Sequence, residues 1–543
     1  MHSDIESIAK AFEHPAFYDH HVSEIERRET HISIVFLTGE RVYKLKKPVN
    51  FGFLNYETPE LRRFYCQQEV RLNQRLTTGI YLGTTSVCRN GRKTFYLGEC
   101  EDPVECVVVM KQLPDKACFQ KILESGSTGP ESYSKIAKHL AGFYEKSTVT
   151  SPHLTKYGDL EYIRFNAYEN FQQLRPFVGN VGSEDLLLWF KKAVHRFTLQ
   201  NRSLFRNRVA GGFVKNGHGD LRAEHIYFYN GVQVLDCIEF NDRLRYGDVA
   251  VDMAFLFMDL TRLGYRDAAL QIIDEYVNHS GDVQIWALLD FYTAYRALVR
   301  SKVACLETLG LSKEEASRKE SLFGTARNFM KMALSHTAAF DTPVVITFMG
   351  LPASGKSAHA SLVASYFHID HISSDVIRKE VMPDATVSPF GQGAYSDDKK
   401  AMIYQLLAAR CREGVKRGRS VVVDATFSLR KWRQIFSDRL KDLPCTVLWI
   451  ETQAPLDALK NRLEKRSLRT GEASDARIEH LQAFLKTYEP PDELPERQVI
   501  RLSTEAGKRR TNMKLMRRLY ELRLKLAGQM ADQMWNRFVS ENR

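Results

Sequence analysis

Residues 344–357 read VVITFMGLPASGKS, and this stretch decides how the second half of the chain folds. Six apolar or β-branched residues run into Gly350–Ser357, which fits G-x-x-x-x-G-K-[ST]. A glycine at each end lets the backbone turn its N–H groups inward, the lysine reaches phosphate oxygens, and a serine hydroxyl at a helix N-terminus can hold Mg²⁺. Gly350, Leu351, Pro352, Ala353, Ser354, Gly355, Lys356 and Ser357 are therefore expected to bind the phosphates of ATP, with Ser357 on the metal. The later runs VVVDATF (421–427) and TVLWIET (446–452) are separated from this strand and from each other by helical stretches. Buried apolar strands alternating with helices predict an α/β domain around a parallel sheet covered on both faces.

The same half carries further groups suited to phosphoryl transfer. HISSDVIRKEV (371–381) places Asp375 and Arg378 one helical turn apart, where both can face one cleft and the carboxylate can accept a hydroxyl proton. Asp424 closes an apolar strand and is expected in the metal shell beside Ser357. Arg462, Arg466 and Arg469 are spaced to bring several guanidinium groups near one helical face, either to close over a transferred phosphoryl group or as a solvated basic face. Together these residues resemble the P-loop kinases of the polynucleotide kinase, zeta toxin and gluconate kinase group over about 343–505. That resemblance implies that Asp375 and Arg378 bind and activate the acceptor hydroxyl, that Asp424 is the acid of the third motif, and that Arg466 in the lid contacts phosphate.

Upstream, THISIVFLTGERVYKLKK (30–47) reads as two strands around Thr38-Gly39, and ETPELRRFYCQQEVRLNQRL (57–76) has helical spacing. CVVVMKQLP (106–114) reads as a strand that ends at Pro114. Lys44 and Lys46 point the same way by strand alternation, so either can serve a phosphate. His218-Gly219-Asp220 precedes a hairpin signalled by Asn230-Gly231. A two-residue turn there pairs positions that sum to 230 + 231 = 461, setting His225 opposite Asp236. A base and a metal-binding pair, or a polar turn cluster without chemistry, are the two readings of this group.

With Gly247-Asp248 and Asp252 following, the order resembles the aminoglycoside phosphotransferase-like kinases over roughly 30–300. The resemblance implies Asp220 as catalytic base, Asp236 as metal ligand, Asp252 as a brace of the catalytic loop, Glu69 as the helical partner of Lys44, and Met110–Leu113 as the adenine-facing hinge. Two departures stand out: His225 occupies the position of an asparagine metal ligand, and no G-x-G-x-x-G lies between residues 20 and 45. Imidazole prefers softer metals than Mg²⁺. The first half is thus a kinase of weak or altered activity, or a nucleotide-binding regulator.

The 543 residues, 44% hydrophobic and 26% charged, suit several globular domains and exclude collagen-like and low-complexity chains. The expected domains are 1–335, α+β and protein-kinase-like; 343–505, the P-loop domain; and 506–543, a basic amphipathic helix. This order resembles bacterial bifunctional aminoglycoside phosphotransferase-like/AAA-family ATP-binding proteins. Net charge is 77 − 66 = +11, and residues 505–543 hold ten basic against four acidic side chains. Leu515, Leu519, Leu522 and Leu526 form one stripe in that tail, expected to dock on the P-loop domain, while its basic side offers a surface for nucleic acid. The nine cysteines form no C-x-x-C pair and indicate neither a disulfide framework nor a zinc site. No run of about 18 apolar residues is present and the amino terminus lacks an apolar signal core, so a cytoplasmic protein without a membrane span is expected. The functional expectation is an ATP- and Mg²⁺-dependent phosphotransferase acting on an unidentified phosphoryl acceptor, the alternative being a nucleotide-responsive regulatory ATPase with a pseudokinase domain.

Overall fold

The computed structural model describes residues 2–91, 94–382, 396–467, 478–505 and 508–540. The chain forms two compact units: residues 1–159 with 208–281, and residues 160–207 with 282–543.

Among the described residues the first unit holds ten strands: β1 (Glu26–Glu29), β2 (Ser33–Leu37), β3 (Arg41–Lys46), β4 (Tyr81–Asn90), β5 (Thr94–Leu97), β6 (Glu105–Lys111), β7 (Val214–Asn216), β8 (Ile226–Phe228), β9 (Val232–Val234) and β10 (Tyr246–Asp248). The first six make one antiparallel sheet in the order β1-β2-β3-β6-β4-β5. Alternation along β3 sorts its side chains: Tyr43 and Leu45 join Phe12, Ile34 and Phe36 in one core, while Val42 packs with Cys66 and Val108 on the other face. Lys44 and Lys46 share that second face, which meets the helix Pro59–Asn73. This helix starts where Thr58 accepts from Leu61 N and Pro59 supplies its first turn. β6 ends at Lys111, three residues before Pro114.

Cys88 in β4 and Cys100 beyond β5 are joined as a disulfide, contrary to the sequence reading. The β4–β5 hairpin folds the chain back so that their Cα atoms lie 6.2 Å apart, within bridging range, which spacing along the chain does not reveal. The other seven cysteines are free.

The second unit carries a parallel sheet of β11 (Val344–Met349), β12 (Asp370–Ser373), β13 (Val421–Asp424), β14 (Thr446–Gln453) and β15 (Val499–Ser503), ordered β12-β13-β11-β14-β15. All six side chains of β11 are buried, as a central strand covered on both faces requires. The register pairs Asp424 with Phe348 on one side and Ser373 on the other, so the carboxyl ends of β11, β12 and β13 lie level. This is an α/β fold in which a G-x-x-x-x-G-K-S loop follows the central strand of a parallel sheet. Helices Ile285–Glu307 and Ala316–Asp341 pack together in the same unit, and the terminal helix Lys508–Ser540 packs on the latter. Leu515, Leu519 and Leu522 of the expected stripe are buried and Leu526 is partly exposed, and the helix packs chiefly on Ala316–Asp341 rather than on the residues after 343. Arg517 pairs with Glu521 at 2.8 Å and Arg523 with the buried Asp290. Among the described residues no helix is long and apolar enough to cross a membrane.

Candidate functional site

β11 delivers the chain into the loop Gly350–Gly355, and the helix Lys356–Phe367 begins at the motif lysine. Gly350 has φ 134°, and a Cβ there would sit 2.5 Å from the Thr452 carbonyl oxygen, so only glycine fits this close passage past β14. Ser354 Oγ lies 2.6 Å from Thr452 Oγ1, which donates to the Met349 carbonyl at 3.0 Å. The loop is therefore tied to the sheet from inside, with Ser357 exposed on the first helical turn.

Lys356 is 8% exposed and donates to the Leu351 carbonyl at 2.8 Å. Burial pulls its pKa below the ordinary lysine value, Asp424 and Asp375 pull it back up, and Arg466 adds to the depression. One ammonium thus feels three of the expected site residues. Asp424 is buried at the strand end, with His371 Nε2 3.9 Å from its carboxylate. Asp375 and Arg378 both lie on the helix Ser374–Val381, with Arg378 Nη2 3.8 Å from Asp375 Oδ1.

Arg462 has a different place from the phosphate contact that its spacing offered. It donates to the Ala353 carbonyl (3.2 Å), Thr504 Oγ1 (3.0 Å) and the Thr504 carbonyl (2.8 Å), and so braces the loop. Arg469 lies outside the described residues.

In the first unit, Lys44 Nζ lies 2.9 Å from Glu69 Oε1 and 2.6 Å from Asp236 Oδ1. Lys46 is fully buried between Glu69 (2.6 Å), Glu239 and the Tyr56 hydroxyl. Burial opposes ionisation of Glu69, but the two ammonium groups outweigh it and hold its carboxyl below the usual range. Of the two lysines that alternation left equivalent, Lys44 is the one at the half-exposed Asp236.

The hairpin register differs by one from expectation: Ile226 pairs with Val234 and Phe228 with Val232, so pairs sum to 460, and Leu235 N donates to the His225 carbonyl at 2.8 Å. Tyr229, Asn230 and Gly231 all serve the turn, the last two with positive φ, and this third turn residue shifts the ladder. His225 and Asp236 still meet, Nε2 to Oδ2 at 3.8 Å, because Asp236 leaves β9 in a left-handed conformation at φ 65°. His225 Nδ1 donates to the Asp220 carbonyl at 2.9 Å. Asp252 accepts from the amides of His218 (2.6 Å) and Gly219 (2.9 Å), clamping the loop that carries Asp220.

Arg222 is the group that the sequence reading missed. It donates to Asp220 Oδ2 from Nε (3.1 Å) and Nη2 (2.9 Å), and Nη2 also lies 3.2 Å from His225 Nε2. Its position two residues after Asp220 in H-G-D-L-R was the available signal.

Ser357 and Asp424 offer hard oxygen donors that suit Mg²⁺ beside the loop. In the first unit Asp236 offers oxygen, whereas the lone pair of His225 Nε2 faces the Arg222 guanidinium, a poorer fit to the same ion.

The AAA domain family matches residues 345–491 of the chain. The Mycobacterium tuberculosis (strain ATCC 25618 / H37Rv) uncharacterized protein Rv2004c is 30% identical over 464 residues, covering 84% of this chain and 88% of the relative. Uncharacterized protein Mb2027c of Mycobacterium bovis is similar to the same extent. Among solved structures, a sugar kinase from Janibacter sp. HTCC2649 aligns with a TM-score of 0.27 and 20% identity, over 33% of this chain and 94% of its own. The GDP and kanamycin complex of APH(2")-IIia aligns with a TM-score of 0.37 and 12% identity, over 60% of this chain and 98% of its own.

Proposed function

The chain belongs to the same family as Rv2004c of Mycobacterium tuberculosis, and for this member we propose ATP-dependent phosphoryl transfer to a hydroxyl acceptor by the second unit. The observation that carries the proposal is the buried Lys356 at the head of a phosphate loop, with Asp424 buried at the level end of the neighbouring strand and Asp375 and Arg378 3.8 Å apart on the helix that follows β12. A nucleotide-binding loop alone needs no second carboxylate with a neighbouring arginine. Lys356 and the loop amides hold the phosphates, and Arg466 stabilises charge on the transferred group. Asp375 takes the acceptor's proton while Arg378 orients the acceptor. Ser357 and Asp424 would hold Mg²⁺, which neutralises phosphate charge when bound. Positioning and charge neutralisation supply most of the catalysis in such reactions.

The first unit is proposed as a second kinase-like site of weak or altered activity, with Lys44 and Glu69 toward the nucleotide, Asp220 as base and Asp236 on the metal. A second reading, a nucleotide-responsive regulator with a pseudokinase unit, is favoured by Arg222, whose two hydrogen bonds occupy one oxygen of Asp220. The acceptor classes to examine are sugars, nucleosides and nucleic-acid ends. Guidance of a polynucleotide by the terminal helix has little behind it, since Arg517 and Arg523 are held in ion pairs.

The test incubates the protein with labelled ATP and pools of sugars, nucleosides and oligonucleotides. Label on an acceptor that disappears with Lys356→Ala and persists with Asp220→Ala is the expected result. Full hydrolysis and transfer by Lys356→Ala, with loss of both in Asp220→Ala, would overturn the assignment. Hydrolysis without label on any acceptor favours the regulator.

A further inference from the structure

His225 Nδ1 donates to the Asp220 carbonyl at 2.9 Å, so the ring carries its one remaining lone pair on Nε2. That lone pair faces Arg222 Nη2 at 3.2 Å. The meeting follows from local structure. Ala223–His225 form one 3₁₀ turn, closed by His225 N donating to the Arg222 carbonyl at 3.1 Å, and side chains three positions apart eclipse in such a turn. Asp259 Oδ2 accepts from Ala223 N at 3.0 Å and pins the turn to the helix Val249–Arg262. The His225 ring stacks on His218, with centroids 5.9 Å apart.

The same guanidinium gathers two carboxylates. Its Nε and Nη2 donate to Asp220 Oδ2 at 3.1 and 2.9 Å, and Nη1 donates to Glu224 Oε1. Carboxylate oxygens and an imidazole nitrogen turned toward one centre are the donor types that hold a divalent ion such as Mn²⁺. Here the centre is a cation of the chain itself. Asp236 stands at the edge of the group, Oδ2 3.8 Å from His225 Nε2 and Oδ1 2.6 Å from Lys44 Nζ.

A metal ion beside residue 225 would need the Nε2 lone pair that Arg222 uses, and would sit against a fixed positive charge. An amide oxygen has two lone pairs and could serve both cations, whereas an imidazole nitrogen has one and cannot. We infer that Arg222 is a built-in cation: its guanidinium fills the position between Asp220, Glu224 and His225, so the first unit holds no divalent ion beside His225, and phosphates bound there are served by at most the ion at Asp236. The clause on phosphates rests on the reading of the first unit as a nucleotide site; the filled position does not.

The probe is Mn²⁺ alone, with the free ion counted by electron paramagnetic resonance in titrations of the full-length protein. The parent and His225→Ala should take up the same number of ions. Arg222→Met, which keeps the bulk and removes the charge, should take up about one more Mn²⁺ per chain, with a dissociation constant below about 1 mM, and adding His225→Ala should weaken that new site about tenfold or more. Arg222→Lys, which keeps a cation, should gain none. An ion held by the parent and released by His225→Ala overturns the inference, and so does a folded Arg222→Met protein that gains no ion. If Arg222→Met does not fold, the comparison of the parent with His225→Ala decides alone. With saturating AMPPNP the count for His225→Ala should again equal that of the parent, and a deficit of one ion overturns the clause on phosphates. If Lys44→Met leaves the amount of bound AMPPNP unchanged, the first unit takes no nucleotide, which overturns the reading of that unit and this clause together, while the counts with Mn²⁺ alone still judge Arg222.

Discussion

Arg462 Nη1 lies 3.2 Å from the carbonyl oxygen of Ala353, the phosphate-loop residue held at φ 62°. The same guanidinium grips Thr504, whose hydroxyl donates to the Ser354 carbonyl at 2.9 Å. A non-glycine residue at positive φ costs on the order of 1–3 kcal/mol and persists only when its surroundings hold it. Arg462 is such a holder, whereas Arg466 is felt electrostatically at Lys356.

Arg462→Ala should therefore weaken ATP binding about tenfold by loosening the loop, whereas Arg466→Ala should leave affinity nearly intact and lower turnover by about a hundredfold or more. Separate titration of ATP binding and measurement of kcat distinguish the two. Equal effects of both changes on affinity would show that Arg462 contacts phosphate after all.

The two lysines of β3 should part company in the same way. Lys46→Met leaves the buried Glu69 and Glu239 without their shared cation, a defect worth about 3–5 kcal/mol, and the first unit should lose its thermal transition or melt far lower. Lys44→Met keeps Lys46 on Glu69, so folding should persist while nucleotide binding by this unit falls. Thermal melts alongside nucleotide titrations in a Lys356→Ala background read both.

His225→Asn, in a protein whose second site is silenced by Lys356→Ala, should raise Mg²⁺-dependent phosphotransfer several-fold. Asparagine offers a hard oxygen near Asp236 in place of an imidazole nitrogen that Arg222 approaches at 3.2 Å. A fall in activity, greatest with Mn²⁺, would instead identify the imidazole as an adapted ligand. No transfer with either residue or either metal would mark the unit as a pseudokinase.

His218 supplies a pH signature. It is fully buried, its Nε2 donates to the Leu235 carbonyl at 2.8 Å, and its Nδ1 accepts from Asp220 N at 3.2 Å, an arrangement of the neutral ring. Burial first, then the neighbouring His225, pushes its pKa from 6.5 down to about 4. Between those values the unfolded chain binds the proton and the folded chain does not, so stability falls as pH falls from 6.5 toward 4. The full contribution is about 3 kcal/mol. His218→Gln should flatten this part of the pH dependence of the melting temperature, although it lowers stability at neutral pH. A parallel pH slope in variant and parent would refute the assignment.

Much of this was legible because it is local. The phosphate loop, its strand and the helix after it follow from the residue types of 344–367, and Asp375 with Arg378 from helical spacing. Alternation put Lys44 and Lys46 on the correct face, but the choice between them depends on Glu239 and Asp236, nearly 200 positions away in the chain. The hairpin was placed correctly and its register missed by one, since Tyr229 carries no turn signature. Arg462 could not be told from Arg466 by spacing, because what separates them is Thr504, contributed after β15. The Cys88–Cys100 bridge was hidden for a similar reason: the fold-back of β4 and β5 brings the two together.

The chain passes from one compact unit to the other after Asp159, Asn207 and Gly281, and this has a consequence for its birth on the ribosome. Residues 160–207 emerge early, but the helices Ile285–Glu307 and Ala316–Asp341 that cover them are still to be synthesised, so their apolar faces must wait exposed while the first unit is completed by residues 208–281. Such waiting segments are where nascent chains aggregate or recruit chaperones. A stalled chain released near residue 281 should carry a finished first unit with a sticky helical insert, whereas release beyond Ser540 should not.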